Sequence, residues 1–157
     1  KIGFMPIPVI ITVIVLIIAI YVLSQTRFGR YLYALGGNED SARLSGINTT
    51  KIKTLVYVIS GFASSIAGVI IASRIGSASP NAGTGFELDA IAAVVIGGTS
   101  LAGGEGRITG TLIGALIIGV LNNGLNLMNV SPFYQSIVKG LVILIAVLLD
   151  KKSRKKA

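Results

Sequence analysis

The sequence has no cysteine, no histidine and no tryptophan, and it has few charged residues. Without cysteine there is neither a disulfide framework nor a thiolate zinc site, and without histidine there is no imidazole base and no Ser-His-Asp triad. Most hydrolytic chemistry is therefore excluded. No GxxxxGK[ST] stretch occurs, so the standard phosphate cradle of an ATPase is excluded as well, and any ATP must be bound by another polypeptide. Charged residues make up 13% of the 157 positions, about half the globular norm. That is too thin a charged skin for a soluble domain of this size, which rules out an ordinary cytosolic protein and a nucleic-acid binder.

What is present is apolar: 52% of the residues are hydrophobic and the mean hydropathy is +0.81. Whether the formal net charge of +8 points to a polyanion partner depends on where the cations lie. They lie in two clusters, each at the end of an apolar run. The chain opens on Lys1, with no n-region and no small-residue cleavage site, and reads as an internal start of a longer polypeptide.

A bilayer core of roughly 30 Å takes about 20 helical residues. Residues 4–24 and 54–73 meet that requirement without a charge, with Pro6 and Pro8 confined to the first turn of the former. Residues 108–128 form a third full-length run, polar only at threonines and at Asn122, Asn123 and Asn126. Two shorter runs are 90–102 and 134–149. Arg27, Arg30, Arg43, Lys51 and Lys53 lie in 25–53, and Lys151, Lys152, Arg154, Lys155 and Lys156 lie in the tail 150–157, so both segments are expected on the cytoplasmic side. The chain must then cross an even number of times between them. The expected fold class is an all-α polytopic membrane protein with about five transmembrane helices, in which 1–157 is a single membrane region. The 13 residues of 90–102 either cross or enter as a re-entrant half-helix.

The connector 25–53 carries a compact set of helix signals. Asn38 is a good N-cap, Glu39 and Asp40 place negative charge in a first turn, and Gly46 is a ready stop, so 39–45 is predicted to be a helix of about two turns. A helix this short needs a surface to pack on, and Ala42, Leu44 and Ile47 are the contacts it offers. It lies either on the membrane or its own bundle, or in a groove of another protein.

Small residues recur every fourth position at Gly106, Gly110 and Gly114, and again at Ser60, Ser64 and Gly68, a spacing that lets helices approach closely. The cluster 103–106 follows no strand and no βαβ frame, so a dinucleotide site is not indicated. Polar groups inside the membrane are the sharper signal. Asn122 and Asn126 share a helix face, and Lys139 lies one to two turns inside the last span, where Glu87 or Asp89 could pair with it. An amide pair suits a neutral polyol, because it both donates and accepts. It equally suits hydrogen bonding between helices.

Longer strings carry a resemblance. The run Thr26-Arg27-Phe28-Gly29-Arg30-Tyr31-Leu32-Tyr33-Ala34-Leu35-Gly36-Gly37-Asn38-Glu39, followed by Arg43-Leu44-Ser45-Gly46-Ile47, resembles the cytoplasmic loop of sugar ABC-transporter permeases. The stretches 82–104 (through Thr84-Gly85-Phe86-Glu87-Leu88-Asp89 and Ile96-Gly97-Gly98-Thr99) and Leu121-Asn122-Asn123-Gly124-Leu125-Asn126-Leu127 resemble the ribose-type members of that family. The likeness runs from about residue 26 to the tail. It implies a bacterial inner-membrane importer built from two permease copies, ATPase subunits that carry ATP and Mg, and an external sugar-binding protein. It also implies a whole permease of about ten spans, of which this chain is the C-terminal half, with its own role limited to a lipid-embedded path that makes no bonds. The segment Asn38, Glu39, Asp40, Ser41, Ala42, Arg43, Leu44, Ser45 and Gly46 would then be the helix that couples to the ATPase. Asn122, Asn126 and Lys139 would be the residues nearest a substrate path.

Three other readings stay in play. The first is a permease of the same family for xylose, galactose or a furanosyl signal. The second is a channel or ion-coupled carrier, which would want an ionisable group in mid-membrane. The third is a structural scaffold, which would have no need of a capped helix in 25–53.

Overall fold

The computed structural model describes residues 6–77 and 79–154, the last six of these as helix backbone alone. It has seven helices and, among the described residues, no strand: α1 (Ile7–Gln25), α2 (Arg27–Gly37), α3 (Glu39–Leu44), α4 (Thr49–Ile75), α5 (Phe86–Ile96), α6 (Ile108–Leu127) and α7 (Pro132–Arg154). The chain forms two compact units, Lys1–Gly83 and Thr84–Ala157. Three helices, α1, α4 and α6, are long and apolar enough to cross a membrane, and α7 is apolar over the shorter stretch Pro132–Leu148. Residues 4 and 5 of the first expected run, and 155–157 of the basic tail, lie outside the described residues. Residues 150–154 of that tail continue α7.

In the first unit, α1 enters through Pro6, with Pro8 in its first turn, and none of its residues is buried in the chain. This all-round apolar surface is what hydrocarbon requires. The hydroxyls of Thr12, Ser24, Ser64 and Ser65 donate to the carbonyl four residues earlier at 2.5–2.9 Å, so these four groups need no partner in lipid. The helix breaks at Thr26, whose backbone is extended and whose Oγ1 accepts from Gly29 N at 3.3 Å to start α2.

Helix α2 lies inside the stretch expected to be mostly loop. Phe28, Leu32 and Leu35 are half-buried at helical spacing on it, and Gly29 is buried where its backbone passes that of Leu23. Helix α4 starts five residues before the uncharged run and ends two beyond it, reaching Lys51 and Lys53 at one end and Arg74 at the other. At 1.5 Å per residue it is about 40 Å long, so both ends extend past a hydrocarbon core. Its row Ser60, Ser64 and Gly68 is exposed, and nothing lies within 4 Å of a Cβ built on Gly68.

In the second unit the run expected at 90–102 is the eleven-residue α5, entered through Gly85 and left through Gly97. The shift has a physical reason: Gly85 is left-handed and opens the helix four residues early, and the backbone turns at Gly98, also left-handed, closing it six residues short. At about 16 Å, α5 is shorter than a bilayer core. It nevertheless runs antiparallel along most of α6. Asp89 meets Asn122, the Ala93 carbonyl meets Gly114, and Gly97 meets Gly110. The turn 97–107 therefore lies at the end of the unit where α6 begins.

The α5–α6 contact is backbone on backbone. A Cβ on Gly110 would lie 2.0 Å from the Gly97 oxygen, one on Gly114 would lie 2.0 Å from the Ala93 oxygen, and one on Gly106 would lie 2.8 Å from the Thr99 side chain. The approach buries Ala92, Ala93 and Ile118, and Ile96 and Ile143 pack against them, so α7 completes a three-helix core. Large side chains are not needed at this depth, since without water to expel, helix association in lipid relies on close packing and polar contacts.

Candidate functional site

Two features stand out: the α2–α4 connector in the first unit, and a polar cluster above the core of the second.

In the connector, Asn38 Oδ1 accepts from Ser41 N at 2.9 Å and caps α3, with Glu39 and Asp40 in the first turn and Arg43 in the last. The helix spans Glu39–Leu44, with Ser45 as its C-cap. Gly46 takes φ +83°, a left-handed conformation that costs an L side chain strain, and Ile47 N bonds back to Ala42 O at 3.1 Å to close the end. Lys53 on α4 donates to both carboxylate oxygens of Glu39 at 2.5 and 2.6 Å. With side chains 47% and 49% exposed, this pair contributes at most about 1 kcal/mol.

Ala42, Leu44 and Ile47, the contacts the sequence offers to a partner, part company here. Ala42 is 4% exposed, turned into the chain where α3 meets α2 and α4, while Leu44 is 89% exposed and Ile47 is half-buried. Bulk at position 42 would disturb the chain's own packing. Leu44 is the apolar side chain left free to enter a groove.

In the second unit, three helix stripes run from apolar to polar. On α5, Ala92, Ala93 and Ile96 follow Asp89 at +3, +4 and +7; on α6, Ile118 precedes Asn122 by four; on α7, Ile143 follows Lys139 by four. The stripes that form the core therefore bring Asp89, Asn122 and Lys139 together one turn above it. Asp89 Oδ1 lies 2.6 Å from Lys139 Nζ, and Asp89 Oδ2 accepts from Asn122 Nδ2 at 3.0 Å. One turn further on, Asn126 Oδ1 accepts from Gln135 Nε2 at 2.9 Å, and the same Gln135 donates to the Val130 carbonyl. Asn122 Oδ1 is buried without a hydrogen-bond partner.

Of the two acids offered to Lys139, Asp89 is the partner because only Asp89 shares the core-facing stripe of α5. Glu87 is exposed. Gln135 was not singled out from the sequence, although its position four before Lys139 puts it on the same face of α7. Among the described residues, no group of three acidic side chains could hold a metal ion.

Against known proteins, residues 2–147 match a family described as branched-chain amino acid transport system / permease component. The chain is 64% identical over 149 residues to the ribose import permease protein of Escherichia coli K12, covering 95% of this chain and 46% of that protein. It is 60% identical over 147 residues to the ribose import permease protein of Bacillus subtilis 168, covering 94% and 46%. It is 48% identical over 151 residues to the xylose transport system permease protein of Haemophilus influenzae, covering 96% and 40%. The chain spans about half the length of the curated relatives it matches. No solved structure matches it significantly.

Proposed function

This chain belongs to the branched-chain amino acid transport system / permease component family, and from that membership we propose that it builds part of the path of an ATP-driven sugar importer, with ribose as the sugar. The observation that carries the choice of sugar is the difference in identity over nearly the same length, 60–64% to ribose permeases against 47–48% to xylose permeases. The chain itself makes and breaks no bonds. ATP and Mg act on a separate ATPase, a second permease copy completes the path, and an external binding protein delivers the sugar. The setting is the bacterial inner membrane.

In this reading α3 is the coupling helix, residues Asn38 to Gly46, docked on the ATPase through Leu44. Movement of the ATPase pair pushes α3, and the helices rock between outward and inward openings. Of the residues proposed for the substrate path, Asn126 and Lys139 are already engaged by Gln135 and Asp89. That part of the proposal therefore rests on the Asn122 Oδ1 acceptor, which a sugar hydroxyl would satisfy.

The test is uptake in vesicles holding the complete transporter. Labelled ribose should enter only with ATP and should be competed by unlabelled ribose far better than by xylose or leucine. Leu44→Asp should cut uptake by about tenfold or more, because it removes an apolar anchor contributing about 1.5–3 kcal/mol, while leaving membrane insertion intact. Competition by leucine as strong as by ribose overturns the sugar. Normal uptake in Leu44→Asp leaves α3 as a helix with no partner.

Orientation is tested by single cysteines. Those at Asn38, Leu101 and Ser153 should react only with reagent inside the cell, and one at Asn81 only with reagent outside. Leu101 is chosen because it is exposed, whereas Gly104 nearby has φ +78°. Reaction at Leu101 from outside would mean that α5 and its turn do not cross.

A further inference from the structure

We propose that the groove between α2 and the first turns of α4 binds one anionic phospholipid, with an acyl chain along Phe28, Ile52 and Leu55 and the phosphate at Lys51. The groove has a volume of about 580 Å3; Phe28, Tyr31, Ile47, Ile52 and Leu55 make its apolar wall, and Ser45, Gly46 and Asn48, between α3 and α4, line it beside Lys51. That volume falls within the ~300–1,000 Å3 of small-ligand sites.

Depth and charge select this occupant. Lys51 lies three residues before Thr54, where α4 begins 20 uncharged residues. Ile52 and Leu55 therefore stand at the edge of the hydrocarbon, with Lys51 at headgroup level. The two lysines differ in their commitments. Lys53 is held by both oxygens of Glu39, whereas Lys51 has no acidic partner among the described residues although it is the one charged residue lining the groove. Helix α4 has no acid in its first turn, so its N-terminal amides add to the positive potential there. Residues 25–53 carry five cations against two anions. A neutral solute makes no use of the free ammonium, and a zwitterionic lipid brings its own cation. An anionic headgroup with an apolar chain matches both parts of the groove. This site does not depend on the sugar carried, and because Ser45 and Gly46 line it, it adjoins the segment proposed to dock on the ATPase.

The complete transporter carrying Tyr31→p-benzoylphenylalanine would be placed in bilayer discs of phosphatidylcholine and phosphatidylglycerol at 3:1, irradiated, and the permease adducts identified by intact mass. Phosphatidylglycerol adducts are expected well above their share of the lipid. Lys51→Gln should reduce that enrichment about fivefold, the loss of one surface cation. Lys51→Arg should keep it, and Arg74→Gln, at the other end of α4, should leave it unchanged. Adducts that follow lipid composition, or that are mainly to polypeptide, overturn the proposal. So does an equal loss in Lys51→Gln and Arg74→Gln.

Discussion

Replacing Lys139 by leucine is expected to destabilise the α5–α7 unit by about 3 kcal/mol, and adding Asp89→Asn to that variant is expected to restore most of the loss. The single change removes the cation 2.6 Å from Asp89 Oδ1 and leaves a largely buried carboxylate held by one amide hydrogen bond. With the two side chains 12% and 20% exposed, the cost falls at the low end of the range for breaking a buried pair. The second change removes the stranded charge while keeping an oxygen to accept from Asn122 Nδ2. Its rescue is the diagnostic result, because a position important only for its shape would be made worse by a second substitution. The fraction of complete permease surviving a temperature ramp in detergent, read by size exclusion, should rank the native protein first, the double variant second and Lys139→Leu last. A Lys139→Leu permease as stable as the native one would mean that the pair does not hold the helices.

The second large effect is expected from a single methyl group. Gly114→Ala would put its Cβ 2.0 Å from the Ala93 oxygen, and Gly110→Ala would put its Cβ at the same distance from the Gly97 oxygen. No rotamer change relieves a contact with backbone, so α5 and α6 must move apart, at a cost at the top of the ~1–3 kcal/mol range for overpacking. Gly119→Ala is the matched control on the same helix, since nothing lies within 4 Å of its added Cβ. It should be neutral or up to about 1 kcal/mol stabilising from helix propensity. The same temperature ramp checks this, and equal behaviour of the three variants would remove the close crossing.

Much of this was legible in the sequence where one physical rule acts alone. Helices α1 and α6 start and end within three residues of the uncharged runs, because length and charge decide what hydrocarbon accepts. Asn38 caps α3 through a contact three residues away, which is local chemistry. Legibility failed where a residue type usually read as a break acts instead within or at the start of a helix. Within 25–53 only 39–45 is expected as helix, and the glycine-containing stretch before it is α2, which Thr26 caps and for which Phe28, Leu32 and Leu35 are spaced. Glu87 and Asp89 precede the expected run 90–102 but lie in the first turn of α5, with Asp89 on the core-facing stripe. The choice of Asp89 over Glu87, and the role of Gln135, needed the frame of α5 and α7, which depends on where neighbouring helices lie. For the same reason Ala42 and Leu44 looked interchangeable until packing separated them.

The glycine crossing has a consequence for motion. A contact made of main chain has no side-chain torsions to rearrange, so it gives up little conformational entropy on forming and has a single arrangement once formed. α5 and α6 should therefore behave as one stiff body. The polar contact between α5 and α7 is of another kind, since a lysine has several rotatable bonds and can follow a displaced carboxylate over some distance. Side chains, those of Lys139, Gln135 and Ile143, join α7 to the α5–α6 pair, so a change of shape in this unit is easier as a displacement of α7 than as a separation of α5 from α6.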